Sequence, residues 1–259
     1  MLLAVNVGNS STSLGVFDGD AMKVHRRIRT ERGRTADELA VLFRGLFTAS
    51  GVDPSSIERT VAASVVPPLT SAVSAMAEEL TGRKPLLVGP GIKTGIRIRT
   101  DNPAEVGADL VANAVAGYER SRSSCIVVDF GTALTFTAVA QAGDNKTGDL
   151  VGVAIAPGLA YATEALAEHT AQLPVVRLEA PATAVGKNTV HSIQSGVVFG
   201  YVGLVESLID RISRELPAPV RVLATGGQFG VIAPLTARFS GTDQWLTLDG
   251  LRLIAERNP

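Results

Sequence analysis

The sequence predicts an α/β fold built from two related halves, on three observations. Short apolar runs that read as strands alternate with segments of helical periodicity along the chain. Asn6-Val7-Gly8-Asn9 and Asp129-Phe130-Gly131-Thr132 each follow an apolar strand and precede a return strand rich in serine and threonine, as expected of a repeated unit. A third glycine turn, Thr225-Gly226-Gly227, follows a later strand.

Leu2 to Val7 is a strand candidate, Gly8-Asn9-Ser10-Ser11 a polar turn, and Thr12 to Phe17 the first of the returning strands that fill residues 1 to 30. From Thr35 to Ala49, Leu39, Leu42, Phe43 and Leu46 recur at helical spacing, with Thr35 as cap and Glu38 completing a capping box. Thr60 to Val65 reads as a strand, Pro67-Pro68 as a break, Leu69 to Leu80 as a helix and Pro85 to Val88 as a strand. Asp101-Asn102-Pro103 interrupts the chain before a helix that starts near Glu105 or Gly107 and runs to about Ser121. Ser124 to Val128 opens the second strand set. Ala160 to His169, Val190 to Glu215 and Pro219 to Ala224 follow as helix, long helix and strand. LTLDGLRLIAERN closes the chain as a short turn and a terminal helix. The halves are residues 1–117 and 118–259.

Composition narrows the function. In 259 residues, 24 Lys and Arg stand against 25 Asp and Glu for a net charge of -1, which gives no support to a general nucleic-acid binder. Aromatic residues are 5% of the chain and show no interleaving with basic ones suited to base stacking. Arg26, Arg27, Arg29, Arg32 and Arg34 cluster near a surface loop and read as a solvated or partner-facing surface, with phosphate or nucleic-acid contact as the alternative. Hydrophobic residues at 46% argue against disorder. Cys125 is the single cysteine, and His25, His169 and His191 are scattered without zinc spacing. The apolar start lacks a basic region before it, and no uninterrupted apolar stretch reaches about 20 residues, so the expected location is the cytoplasm with no membrane association.

The turns suggest the chemistry. An Asp or Asn after a strand, followed by glycine and hydroxyl residues, can cradle phosphate: glycine permits close backbone approach, amides bind phosphate oxygens, and the carboxylate can hold a cation. Each four-residue motif alone also fits an ordinary turn. Their repetition, with a third glycine turn, favours a nucleotide cleft between two halves. Gly186-Lys187-Asn188-Thr189 resembles the tail of a P-loop, but Pro181 replaces the upstream glycine. No GxGxxG follows the first strand, and no GxSxG occurs. Asp109 and Asn113 share one helix face, which is either solvated or, with a carboxylate in the first turns, the place of a base.

VNVGNSSTSLG, DNPAEVGAD, DFGTALTF, APGL, GKNTVHSIQSG, ATGG and LTLDGL, in this order over nearly the whole chain, resemble the type III pantothenate kinase family. The resemblance implies a duplicated ribonuclease-H-like, actin-like ATPase fold and a homodimer. It implies phosphorylation of pantothenate by ATP to 4'-phosphopantothenate, the first step of coenzyme A biosynthesis, with Mg2+ and a monovalent cation, K+ or NH4+. Matched residue by residue, Asp109 is the general base. Asn6, Gly8, Asn9 and Ser10 correspond to the first phosphate loop, and Gly131 and Thr132 to the second. Gly226 and Gly227 correspond to the nucleotide-side turn, and Asp129 to a cation ligand. Thr100, Gly107, Ala108, Asp109 and Leu110 correspond to the substrate wall, and Thr189 to a threonine that the dimer partner offers to the substrate. The sequence departs from the pattern at Asn6 (usually Asp), Thr100 (Tyr), Leu110 (Arg), Leu134 (Thr) and Thr137 (Asp). Those departures keep two alternatives in play: a non-catalytic or regulatory homologue, and a kinase of another small hydroxylated acid.

Overall fold

The computed structural model describes residues 1–143 and 147–259. These group into two units. The first comprises Met1–Gly95, Asp101–Ala116 and Thr247–Pro259, and the second Ile96–Thr100 and Gly117–Leu246.

In the first unit, β1 (Leu2–Val7), β2 (Ser11–Asp18), β3 (Ala21–Arg29), β4 (Arg59–Ser64) and β5 (Leu86–Leu87) form one sheet in the order β3-β2-β1-β4-β5. β1, β2 and β3 pair antiparallel, while β4 lies parallel to β1 and β5 to β4. Strand alternation sends Leu3, Val5, Val7, Leu14 and Val16 to one face, where they are buried against α1 (Ala36–Ala49) and α2 (Pro67–Thr81) with Phe43, Phe47, Val73 and Met76. The expected capping box is present: the Thr35 hydroxyl accepts from the Glu38 amide and the Glu38 carboxylate accepts from the Thr35 amide. α2 begins earlier than expected. Pro67 and Pro68 form its first turn, where the missing N–H groups would have been unpaired in any helix. Arg26, Arg27 and Arg29 also lie in a strand and not a loop, because β3 pairs with β2 along its length, with Arg27 and Arg29 exposed on the face opposite half-buried Val24, Arg26 and Ile28.

The second sheet contains β6 (Ile96–Ile98), β7 (Ser124–Phe130), β8 (Ala133–Gln141), β9 (Gly148–Pro157), β10 (Val220–Gly226) and β11 (Gly241–Thr242), in the order β11-β10-β7-β8-β9-β6. Without β6 this is the first sheet's order again, and the strand senses repeat as well. No pattern in the chain marks β6, whose three residues are too short to show a period. α3 (Ala108–Ser121) opens in the first unit and ends in the second. α4 (Leu159–Glu168) follows β9, and Thr189–Glu215 is one helical run. That run divides into α5 (Thr189–Gln194), a π-helical segment Ser195–Phe199, and α6 (Gly200–Glu215). Val198, Val205 and Ile209 from it enter a core with Ile126, Val128, Phe136 and Ala224. By length and composition this run could cross a bilayer, with a mean hydropathy of 1.4 over its most apolar window, 44% of which is buried inside the protein. The short α7 (Phe229–Ile232) follows β10.

The chain closes with α8 (Leu246–Glu256), helical from its first residue and not a turn followed by a helix. Gly250 explains the difference: a Cβ there would collide with the Ala112 carbonyl, so the glycine serves close contact with α3 inside a continuous helix. Thr247 Oγ1 donates to Asn113 Oδ1 at 2.7 Å, and Asn113 is fully buried. The solvated-face reading of the Asp109 and Asn113 pair is therefore incorrect for Asn113. Arg59 donates to the carbonyls of Ala255 and Asn258, and the Asn258 amide bonds both the N–H and the carbonyl of Lys93.

Candidate active site

The first glycine turn is the β1–β2 connection. Gly8 N–H donates to the Ser11 carbonyl at 3.0 Å, which closes a tight loop and leaves Asn9 and Ser10 exposed at its tip. Asn6 sits one strand position before Val7, on the face opposite the α1 and α2 core. Its cross-strand partner is Ser13, whose own partner on β3 is Arg27. Arg27 Nε donates to Ser13 Oγ at 3.4 Å, while Asn6 Oδ1 is buried with no hydrogen-bond partner among the protein groups.

Asp109 lies in the first turn of α3. Pro103–Glu105 makes a single tight turn before it, capped by the Asn102 side chain, and Gly107 passes its carbonyl to Val111 N–H at 3.0 Å. The Asp109 carboxylate accepts from Leu110 N–H at 2.8 Å. Burial pushes its pKa above the usual aspartate value, against the lowering effect of that amide and of its own N–H. Ala108 and Leu110, like Gly107, are half-buried beside it. Among its flanking residues Asp101 and Glu105 are acidic, and α3 carries its nearest helix-borne cation only in its last turn.

In the second unit Asp129 is the last residue but one of β7, and the strand register places it in a row with Thr225 on β10 and Thr135 on β8. Thr137 follows on the same face of β8. The hydroxyls of Thr135, Thr137 and Thr225, and Gln228 Oε1, are buried without hydrogen-bond partners among the protein groups. Gly131 N–H donates to the Ala133 carbonyl at 3.2 Å, and Gly158 N–H donates to the Thr132 carbonyl at 3.2 Å, so the second turn is held from both sides. Gly226 has φ of 94°, and any Cβ there would strike Asp129 Oδ1 and the Phe130 backbone. Gly227 is exposed next to it. Asp129, Gly131, Thr132, Gly226 and Gly227 are thus gathered at the ends of two neighbouring strands. Thr100, at the end of the segment containing β6, has a buried hydroxyl with no partner among the protein groups. Thr189 is the exposed first residue of α5, where Asn188 Oδ1 caps His191 N–H at 2.9 Å. Gly186-Lys187-Asn188-Thr189 is therefore a helix cap.

Sequence reasoning missed Gln228 and gave no separate role to Thr135 or to Thr225, which opens the third glycine turn. Period-two spacing from Thr137 could have suggested Thr135, but only the strand register brings β8 and β10 to Asp129. Among the described residues no group of three His, Cys, Asp or Glu could hold a metal alone. A single carboxylate with orphaned neutral oxygens fits a hard cation whose remaining ligands are phosphate and water oxygens.

Solved structures with this architecture include the ethanolamine utilization protein EutJ from Carboxydothermus hydrogenoformans. It has a TM-score of 0.54 and 12% identity, covering 97% of this chain and 89% of that one. A Sinorhizobium meliloti protein described as a 2-dehydro-3-deoxygalactonokinase has a TM-score of 0.56 and 12% identity, covering 100% and 97%. At such identities the likeness shows the fold alone. With the repeated sheet order and paired glycine turns, it gives the chain a duplicated ribonuclease-H-like, actin-like fold. Sequence comparison is more specific. The pattern of the type III pantothenate kinase family matches residues 2–211. Type III pantothenate kinases from Anaeromyxobacter sp. (strain K) and Myxococcus xanthus (strain DK1622) are 47% and 46% identical over 258 residues, covering all of this chain and 100% and 99% of theirs. The chain belongs to the type III pantothenate kinase family.

Proposed function

We propose that this protein transfers the γ-phosphoryl group of ATP to the hydroxyl of pantothenate, giving 4'-phosphopantothenate and ADP, with Asp109 as general base. The observation that carries the role of Asp109 is a half-buried carboxylate, raised in pKa, at the start of a helix that follows a tight, capped turn. A carboxylate so placed accepts the alcohol proton as the oxygen forms its bond to γ-phosphorus. The bond from γ-phosphorus to the bridging oxygen breaks, and ADP leaves with that electron pair. Backbone amides of the Gly8-Asn9-Ser10 and Gly131-Thr132 turns bind phosphate oxygens, and Gly226 and Gly227 admit the nucleotide. Thr100, Gly107, Ala108 and Leu110 line the acceptor.

A divalent cation, read here as Mg2+, neutralises phosphate charge when bound, and Asn6 offers it a neutral oxygen. Asp129 with Thr135 and Thr225 offers oxygens to a monovalent cation, K+ or NH4+. The protein works as a homodimer in which Thr189 reaches the partner's acceptor site, and one phosphate turn comes from each of the sequence halves 1–117 and 118–259. Its place is the cytoplasm, away from membranes and nucleic acid.

Leu110, which brings only its amide to Asp109, favours a second reading in which the acceptor is another small hydroxy acid. Asn6, without a carboxylate charge, favours a weak or non-catalytic homologue. Purified protein with ATP, Mg2+ and K+ or NH4+ is expected to release ADP only when pantothenate is present, with 4'-phosphopantothenate found by mass spectrometry. Asp109→Asn is expected to cut turnover by about 100-fold or more while ATP affinity stays within about twofold. Full turnover in that variant refutes the base assignment. ADP release with a different acceptor selects the second reading, and nucleotide binding with no turnover on any acceptor selects the third.

A further inference from the structure

We infer that Arg32, flanked by Arg29, is a phosphate-binding cation of the first glycine turn and holds the outer phosphates of the nucleotide; the inference rests on the nucleotide reading given above. In the sequence the arginine cluster reads as a solvated or partner-facing surface near a loop, with phosphate or nucleic-acid contact as the alternative. The structure ties its far end to the turn in three places. Thr30 N–H donates to the Ser10 carbonyl at 3.0 Å, the Thr12 and Thr30 hydroxyls share a hydrogen bond of 2.9 Å, and Arg32 Nη2 makes a long hydrogen bond of 3.5 Å to Asn9 Oδ1. Register does the same for Arg29, which stands opposite Ser11, the last residue of the turn, so the two side chains share a face.

The charge balance at this place is one-sided. Arg34 is paired with Glu31 at 2.8 Å and Lys23 lies 3.9 Å from Asp18, but among the described residues neither Arg29 nor Arg32 has an ion-pair partner. Both are exposed. Asn6, on the strand leading into the turn, carries no negative charge to neutralise them, and its buried Oδ1 is itself without a partner. Two unpaired guanidinium groups therefore flank a loop whose Asn9 and Ser10 tip is open. A guanidinium presents a planar fork of N–H donors that matches a phosphate, and the contact with Asn9 places that fork beside the tip of the loop. A nucleic-acid backbone would use the same chemistry, but the net charge of -1 and the location of both arginines against a glycine turn favour a small phosphate ligand.

The test uses the full-length protein and the variants Arg32→Ala, Arg32→Lys and Arg29→Ala, with ATP, ADP and AMP binding measured by calorimetry at low and high salt. Steady-state kinetics and melting temperature are measured alongside. Arg32→Ala is expected to weaken ATP by about tenfold or more, ADP less and AMP hardly at all, with the salt dependence of ATP binding reduced. Arg29→Ala is expected to give a smaller loss in the same order, and Arg32→Lys to recover part of the ATP affinity. The Michaelis constant for ATP is expected to rise while that for pantothenate and the melting temperature hold.

Equal ATP affinity in Arg32→Ala and the parent overturns the inference and leaves the kinase reading intact. Equal losses for ATP and AMP, or a fall in melting temperature that Arg32→Lys does not repair, also overturn it in favour of a structural role. A parent that binds ATP but phosphorylates no acceptor refutes the kinase reading, and the variants still decide the inference from binding alone. A parent that binds duplex DNA through Arg32 but no nucleotide overturns both.

Discussion

Asp109 is held at odds with its own charge. Because burial raises its pKa, the folded state binds the proton more tightly than the unfolded chain does. The preference for the folded state is therefore full below the ordinary aspartate value of about 3.9 and is lost as pH rises through the raised value. Above that window the carboxylate costs stability. Asp109→Asn, which never ionises, is expected to melt higher than the parent at pH 7 and to lose this advantage towards pH 4, as scanning calorimetry would read. The acid limb of kcat/KM is expected to have its midpoint above about 4, and an acid limb at the ordinary aspartate value would contradict the assigned environment. Cys125 gives an independent check on burial. Its thiol is fully buried and pushed up to about 12, so a thiol reagent at neutral pH is expected to label it only in denaturant.

At the scale of elements, much was readable because local rules and packing agreed. Thr35 and Glu38 announced α1, and short apolar runs beside turn residues announced β1, β2 and β7. Asp109 was readable as a candidate because its helix carries a carboxylate after a breaking Asp-Asn-Pro. What could not be read depended on partners distant in the chain. Thr225 and Thr135 join Asp129 only through strand register, and Gly250 looked like a turn because nothing local reveals Ala112 behind it. The arginine cluster was misplaced for the same reason, since β3 pairs with β2 whatever its charge. Gly250→Ala is expected to test this packing directly. Alanine favours a helix over glycine by about 1 kcal/mol, so a higher melting temperature follows if the site is open. Collision with the Ala112 carbonyl predicts a lower one, by roughly 1 to 3 kcal/mol, read by chemical denaturation.

Across the whole molecule, the two sheets repeat one strand order although the sequences of the halves agree only at their turns. A shared strand order persists where the side chains differ, since the fold does not depend on the groups a site requires. Fold and family were therefore visible from spaced motifs, and the assignment of individual side chains was not. The dimer proposal belongs at this scale. Light scattering is expected to give twice the chain mass of 26.9 kDa, and mixing Asp109→Asn with Thr189→Ala chains is expected to restore a fraction of the activity that neither variant has alone. No recovery on mixing would show that Thr189 serves its own chain.

The return of α8 to the first unit has a consequence for how the protein is made. The first unit takes Thr247–Pro259 from the opposite end of the chain, and Arg59, near its start, holds carbonyls of Ala255 and Asn258. During synthesis that unit must wait, with the backbone of Ala112 uncovered and its arginine unsatisfied, until every residue of the second has been translated. The second unit can settle first, although it was begun later.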